Sequence, residues 1–179
     1  MQSRKGQVPT FFQEPREMAD EKRIIYLDKL GDKYEMGPAD AEDRAHLIDM
    51  YENFIPKAVT QGLPPADPKT RLNWIDGIIK DGDNFIAKLD QDVVGHCSLI
   101  RGETGKDCEY IIFVSTVYRN RGLGTGLTEM AVAHGRELGL DHIWLTVEAL
   151  NFRAIKLYKK MGFVFCDAGE RERTMILRL

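Results

Sequence analysis

Apolar and polar residues alternate with two different periods along the chain, and the change between them predicts its architecture. Between residues 38 and 80, apolar positions recur every three or four residues, as on one face of a helix. We expect one helix that begins after Pro38 and ends before Pro56, and a second over residues 71–80. The stretch 60–68 contains three prolines and a glycine and is expected to form a loop.

Most of the remaining chain is organised in short strands. Strands are expected over residues 33–36, 85–89, 93–100, 109–114, 142–147, 163–166 and 174–179, and helices over residues 123–138 and 151–161. The order strand, helix, strand between residues 109 and 147 requires a parallel pair with a right-handed crossover. The predicted fold class is α/β (α+β): a mixed, mostly antiparallel sheet of about seven strands with a central parallel pair and about four flanking helices.

The first 32 residues are less regular than the rest. Six acidic residues balance six basic ones, and Val8, Phe11 and Phe12 make the segment more apolar than a disordered tail. A short strand is expected over residues 23–27. We interpret residues 1–32 as an N-terminal extension, for which an extra hairpin against the domain and an arm onto a second subunit of a homodimer both fit. Residues 33–179 are expected to form a single domain.

Composition argues against several classes of protein. Of the 179 residues, 43% are hydrophobic and 30% are charged, and no apolar run approaches the ~20 residues of a membrane span. The net charge of −3 argues against nucleic acid as a partner, because binding a phosphate backbone needs a basic excess. Three cysteines and four histidines lack the spacing of a metal site, so no metal is expected. The N-terminal residues lack the apolar core of a signal peptide, which favours a cytoplasmic protein.

The turn over residues 114–126 carries the strongest chemical signal. An apolar strand leads into Arg119, Arg121 and three alternating glycines, and a helix follows at once. Glycines leave backbone N–H groups open and the helix start adds the positive end of its dipole, so the turn predicts an anion site, most often for phosphate. The alternative interpretation, a tight turn that only packs the helix on the strand, would need one glycine rather than three. A P-loop and a dinucleotide-binding turn both fail, because each requires another residue where this chain has Leu127.

Two motifs suggest a family. The segment Arg119-Asn120-Arg121-Gly122-Leu123-Gly124 resembles the Gln/Arg-x-x-Gly-x-Gly/Ala signature of the acyl-CoA loop in GNAT-type N-acetyltransferases. Residues 151–163 then read Asn-x-x-Ala-x-x-Leu-Tyr-x-x-x-Gly-Phe, a pattern that the same family tends to show after its next parallel strand. The resemblance is specific over residues 83–179, general over 33–82 and absent over 1–32. It implies a GNAT-like fold whose central parallel strands are splayed apart.

The resemblance implies acetyl-CoA as the co-substrate. In the family the glycine turn holds the pyrophosphate, and the strand before it pairs with the pantetheine arm through its backbone. The positions that the resemblance assigns to the cofactor are Phe113, Val114, Arg119, Arg121, Gly122, Leu123, Gly124, Thr125, Gly126 and Asn151. A backbone N–H near Val114 would polarise the acetyl oxygen. Phe113 and Val114 suit a plain β core equally well, and Asn151 also suits a helix N-cap.

The resemblance also points to catalytic groups at Tyr158 and Glu109. A phenol at Tyr158 can donate a proton to the departing thiolate, although a tyrosine here also suits packing on the sheet. Glu109 lies on the strand that carries the base in histone-type members. Counting back from Val114, however, that family position falls on Cys108, nominally on the opposite face of the strand. Glu148 and a water chain to the amine are the other candidates for the base.

The resemblance thus implies an N-acetyltransferase in which a primary amine of a small molecule or peptide attacks acetyl-CoA directly in a ternary complex. Residues 35–82 hold nine acids and five bases, whereas residues 113–163 hold seven bases and four acids. This asymmetry suits a cationic acceptor beside an anionic cofactor, although two solvated faces would look the same. The acids that would attract the amine are Glu35, Asp40, Asp49, Glu52 and Asp67.

Three alternatives remain open on the sequence alone. An anionic acceptor could be held by Lys57, Lys69 and Arg71. A regulatory or interaction module of the same fold could bind CoA without catalysis. A structural partner protein could assemble through residues 1–32.

Overall fold

The computed structural model describes residues 23–57, 63–167, 169 and 171–179, which form one eight-stranded sheet and four α-helices. The strands are β1 (Ile24–Leu27), β2 (Lys33–Pro38), β3 (Gly82–Leu89), β4 (Asp92–Arg101), β5 (Asp107–Val114), β6 (His142–Glu148), β7 (Val164–Phe165) and β8 (Glu172–Arg178). The helices are α1 (Asp43–Asn53), α2 (Pro68–Asp81), α3 (Leu123–Glu137) and α4 (Phe152–Lys160). The apolar residues Val8, Phe11 and Phe12 of the predicted N-terminal extension lie outside the described residues.

The strands are ordered β1-β2-β3-β4-β5-β6-β8-β7, and every neighbouring pair except one is antiparallel. The exception is the β5–β6 pair, which is parallel as the strand–helix–strand order predicts. The predicted fold class is therefore confirmed. The sheet has eight strands because β1 pairs with β2 and extends the edge of the sheet.

Local sequence explains where the helices begin and end. Asp67 caps α2 by accepting the Thr70 N–H at 2.7 Å, and Pro68 occupies the first helical turn, where its missing N–H is not needed. Helix α3 ends just before Gly139, whose φ of +67° reverses the chain toward β6. Among the described residues, none of these helices has the length and apolar character needed to cross a bilayer.

The sheet separates two hydrophobic clusters. Helices α3 and α4 cover one face, and α1 and α2 cover the other. Because side chains alternate along a strand, β5 contributes Cys108 and Tyr110 to the α3–α4 face and Phe113 to the α1–α2 face. Both clusters therefore anchor β5, which fixes this strand in place at the centre of the sheet.

Candidate active site

The parallel strands β5 and β6 separate part-way along their length. Their pairing is confined to three residue pairs, from Asp107 with His142 to Glu109 with Trp144. Beyond that point β5 continues to Val114 and β6 continues to Glu148 without pairing to each other. The facing edges of the two strands therefore carry backbone groups that lack a strand partner.

The direction of those backbone groups follows from the β4–β5 ladder. The Ser115 N–H donates to the Val94 carbonyl of β4 at 2.9 Å. Successive residues of an antiparallel strand direct their backbone groups to opposite edges, so the N–H and carbonyl of Val114 point toward β6. The Val114 carbonyl accordingly accepts a hydrogen bond from Arg119 Nε at 3.0 Å on that side. The Val114 N–H thus faces the gap between the strands.

A cavity of about 1390 Å³ opens at this gap. It is bounded by β5, the glycine turn, β6, α4 and the α1–α2 connection. The predicted site residues that line it are Glu109, Phe113, Val114, Arg119, Gly122, Leu123, Gly124, Thr125, Asn151 and Tyr158. Arg121 and Gly126 are absent from this lining.

The glycine turn presents open backbone donors to the cavity. Gly122 has a φ of +99° and precedes the first residue of α3. The first helical bonds run from the N–H groups of Thr125 and Gly126 to the Gly122 carbonyl, at 2.9 and 3.1 Å. Within the described chain, the N–H groups of Gly122, Leu123 and Gly124 have no backbone partner. Together with the helix dipole, they suit a bound anion.

Arg121 and Gly126 contact the β1–β2 hairpin instead of the cavity. Arg121 forms ion pairs with Asp28 (3.2 Å) and Asp32, and it donates to the Tyr34 hydroxyl. A Cβ on Gly126 would lie 3.0 Å from Met36 Cε, so this glycine lets the hairpin approach α3. The hairpin therefore holds the glycine turn in place through these contacts.

Five basic residues of the described chain line the cavity, namely Lys29 of the β1–β2 turn and Arg119, Arg153, Lys156 and Lys160. The Arg119 guanidinium lies 5.5 Å from the centroid of the Phe54 ring. Burial and then the charge of Arg153 lower the pKa of Arg119. This concentration of positive charge complements a polyanionic ligand.

Tyr158 lies on α4 with its ring in the core. Its ring centroid is 5.8 Å from that of Phe163 and 6.4 Å from that of Tyr110, and the residue is 7% exposed. No described residue forms a hydrogen bond with its hydroxyl. Burial raises the pKa of Tyr158, so the phenol keeps its proton at neutral pH. The packing role and a proton-donor role are compatible, because the ring packs on the core while the residue also borders the cavity.

Glu109 and Cys108 point to opposite faces of β5. Cys108 is fully buried in the cluster under α3 and α4, whereas Glu109 is half-buried and lines the cavity on the same strand face as Phe113. Burial raises the pKa of Glu109. Glu148 also lines the cavity but is exposed on β6.

Asn151 occupies the N-cap of α4. Its side-chain oxygen accepts the Ala154 N–H at 3.2 Å, so the N-cap interpretation of this residue holds. Its position in the cavity lining leaves the side-chain nitrogen as a donor toward a ligand.

A comparison with known families agrees with this geometry. Residues 44–163 match the model of the Acetyltransferase (GNAT) family. The chain belongs to the GNAT family.

Two curated relatives of this GNAT chain match parts of it. Streptothricin acetyltransferase of Streptomyces lavendulae is 42% identical over 55 residues, which are 31% of this chain and 29% of that protein. L-amino acid N-acetyltransferase AaaT of Escherichia coli K12 is 36% identical over 91 residues, which are 49% of this chain and 56% of that protein. The GNAT chain thus spans less than two thirds of the length of either relative.

Solved GNAT structures share the fold across most of the chain. The GNAT domain of S. lividans PAT superposes with a TM-score of 0.76 at 16% identity and covers 88% of this chain and 97% of its own. The yncA protein of Salmonella typhimurium, solved with its cofactor acetyl-CoA, superposes with a TM-score of 0.63 at 19% identity. That match covers 82% of this chain and 94% of yncA.

The charged residues of the 35–82 segment are mostly remote from the cavity of this GNAT protein. Of the five acids singled out in the sequence, Asp67 alone lines the cavity, and Asp40 pairs with Arg23 at 3.0 Å. None of Lys57, Lys69 and Arg71 lines it. The other acids that border the cavity are Glu109, Glu148 and Glu172, which lie on the sheet. Of the charged residues that the sequence singled out in this segment, Asp67 is therefore the one that lies at the cavity.

Replacing Arg121 tests whether it contacts the ligand or positions the turn. We expect Arg121→Met to weaken acetyl-CoA binding roughly tenfold, or about 1.4 kcal/mol, because the glycine turn loses its tie to the hairpin. If Arg121 acts by positioning the glycine turn, Asp28→Asn should also weaken acetyl-CoA binding. If Arg121 instead contacts phosphate, Asp28→Asn would free its guanidinium and leave binding equal or tighter. Calorimetric titration of both variants with acetyl-CoA separates the two outcomes.

Proposed function

We propose that this GNAT protein transfers the acetyl group of acetyl-CoA to a primary amine of a small molecule or peptide, by direct attack within a ternary complex. The observation that carries the proposal is the gap between β5 and β6. The Val114 N–H faces this gap, and the unpaired N–H groups at the start of α3 lie beside it. The bound acetyl-CoA of yncA and the names of the streptothricin and L-amino acid acetyltransferases support it.

The residues present fit acetyl-CoA, which supplies an acetyl thioester when bound. The N–H groups of Gly122, Leu123 and Gly124 would bind the pyrophosphate, assisted by the basic side chains that line the cavity. The free edge of β5 would hydrogen-bond the pantetheine arm, since strand backbone groups without a partner need one. The Val114 N–H would then donate to the thioester oxygen and polarise the carbonyl.

Two side chains on opposite sides of β5 would move the protons. The amine nitrogen bonds to the carbonyl carbon as the carbon–sulfur bond breaks, so one proton leaves the amine and one reaches the thiolate. Glu109 would accept the first through water, because five residues of extended strand at about 3.3 Å each separate it from Val114, and Tyr158 would donate the second. Burial raises the pKa of both groups, which makes Glu109 a stronger base and keeps Tyr158 protonated.

Initial rates measured with acetyl-CoA and an amine varied together test the proposal. Direct attack predicts intersecting double-reciprocal plots and an enzyme of unchanged mass after incubation with acetyl-CoA alone. Parallel plots with an acetylated enzyme would instead indicate a covalent intermediate. Bound acetyl-CoA without thiol release from any amine would favour the non-catalytic CoA-binding module.

The raised pKa of Glu109 gives a pH-dependent test of the base. Because the base must be deprotonated, kcat/KM should rise with pH through the Glu109 pKa, which lies above the ordinary value of a glutamate. We expect Glu109→Gln to lose this limb of the profile and about 10²–10⁴ in rate. Glu148→Gln is the matched control and should keep the limb. If the limb persists in Glu109→Gln, the base is Glu148 or water.

A further inference from the structure

Three aromatic side chains border one side of the cavity, and we call Phe54, Trp74 and Phe113 the aromatic wall. Phe54 and Phe113 are largely buried, at 3% and 8% exposed, so the partly exposed Trp74 offers most of the accessible surface of the wall. Phe54 follows the end of α1, Trp74 lies on α2 and Phe113 lies on β5. Phe113 packs edge-on against both of the others, with ring centroids 5.5 Å from Phe54 and 5.7 Å from Trp74. Such edge-to-face contacts fix the orientation of the rings.

A buried polar chain supports the wall from behind. The Tyr51 ring lies 5.1 Å from Trp74 and 5.4 Å from Phe113, and its hydroxyl is 2.6 Å from His96 Nδ1. His96 Nε2 lies 3.0 Å from Asn84 Oδ1. Burial lowers the pKa of His96 to about 3, so the ring is neutral: Nε2–H donates to Asn84, and Nδ1 accepts from Tyr51. The polar groups behind the wall are therefore uncharged and hydrogen-bonded to one another, whereas the Arg119 guanidinium lies over the ring of Phe54.

The surface that continues the wall is also apolar. Its lining residues in the described part of the α1–α2 connection are Pro56, Leu63, Pro65 and Ala66. The polar groups beside them, Asp67 and Thr70, bond to each other, because Asp67 accepts from both the N–H and the hydroxyl of Thr70 at 2.7 Å. A polycationic acceptor would lose hydration on this surface, where the carboxylate of Asp67 is already hydrogen-bonded. The other carboxylates of the cavity, those of Glu109, Glu148 and Glu172, lie on the strands of the sheet.

The wall begins where the reaction is proposed to occur. Phe113 directly precedes Val114, whose N–H faces the gap, and Glu109 lies on the same face of β5 as Phe113. An amine that attacks a thioester held at Val114 would thus place the group attached to its nitrogen near Phe113 and near Trp74, which packs on Phe113.

We infer that the acceptor carries its primary amine on a short alkyl spacer from a flat, aromatic group, which packs on the aromatic wall. This inference rests on the proposed function. It predicts arylalkylamines as acceptors and argues against polyamines and other polycations.

A panel of amines given to the wild-type protein tests the inference. Thiol release from acetyl-CoA would be followed with phenylethylamine and tryptamine, with hexylamine, and with putrescine and spermidine. We expect kcat/KM for the aromatic amines to exceed that for the polyamines about tenfold or more, as burial of a ring predicts. Equal or faster turnover of polyamines would overturn the inference and leave the acetyltransferase proposal intact. Thiol release with none of the amines, despite bound acetyl-CoA, would remove the proposed function and the inference together.

Variants of Trp74 test the same inference from the protein side. Trp74→Leu keeps an apolar side chain but removes the ring, and it should raise KM for phenylethylamine about tenfold while the acetyl-CoA KM changes less than about threefold. Trp74→Phe retains a ring and should restore most of the loss. Leu72→Ala, on an exposed position of the same helix, is the control and should behave as wild type. An unchanged phenylethylamine KM in a folded Trp74→Leu protein would contradict the inference.

Discussion

Tyr158→Phe is expected to lower kcat about 10²–10⁴-fold while acetyl-CoA affinity stays within a few-fold. The substitution removes one oxygen from a buried ring and leaves its contacts with Tyr110 and Phe163 in place. The departing thiolate then receives no proton from this residue. The expected loss of rate corresponds to roughly 3–5 kcal/mol of activation free energy, at about 1.36 kcal/mol for each tenfold change. Cofactor binding is unaffected because the proposed grip comes from the glycine turn and the edge of β5.

Tyr110→Phe is the matched control for this prediction. The Tyr110 hydroxyl is engaged with Thr128 Oγ1 at 2.9 Å, so its loss should cost about 1 kcal/mol of stability and little turnover. Single-turnover measurements establish whether chemistry limits kcat in both proteins. If kcat in Tyr158→Phe were unchanged with chemistry limiting, the tyrosine would serve packing alone.

Gly124→Trp is expected to weaken acetyl-CoA binding at least about 100-fold, or roughly 3 kcal/mol. A Cβ at position 124 would lie 3.3 Å from Leu157 Cδ2, where α3 begins close to α4. A large side chain at that point would occupy the cavity and cover the open N–H groups of the turn. Each charge-assisted hydrogen bond lost there costs about 1.5–3 kcal/mol.

Gly77→Trp provides the control for a bulky substitution of a glycine. A Cβ at position 77 on α2 would meet no atom within 4 Å, so this variant should fold and bind acetyl-CoA normally. Thermal unfolding of both variants checks that the fold persists. Unchanged affinity by calorimetry in a folded Gly124→Trp protein would contradict the cofactor assignment.

The second half of the fold was predictable from sequence because its signals are local. Alternation defines β5 and β6, and glycines mark both ends of α3, so the predicted bounds of these elements match the structure within about two residues. The order of the elements then requires the parallel pair. The two motifs lie on the elements that border the gap, which is why most of the predicted site residues line one cavity.

The orientation of Arg121 and Gly126 was not predictable in the same way. Both belong to the glycine turn, but their partners Asp28 and Met36 lie on a hairpin far away in sequence. A motif gives the spacing of residues along the chain and not the direction in which each side chain points. The alternation along β5 did, by contrast, separate Glu109 from Cys108 correctly.

The aromatic wall also could not be predicted from the sequence. Trp74 lies on α2, and its contacts with Tyr51 on α1 and Phe113 on β5 bring together three separate elements. Most acids of residues 35–82 lie away from the cavity for a related reason. Asp43, for example, is buried against Lys88 at 3.1 Å and serves the fold rather than the cavity.

Transfer of an isotopically labelled acetyl group tests the central claim most directly. The protein would be incubated with labelled acetyl-CoA and an amine, and the product would be examined by mass spectrometry and NMR alongside the released thiol. The account predicts one labelled amide for each thiol released, with no label on the protein. Thiol release without a labelled amide, or label that accumulates on the protein, would contradict it.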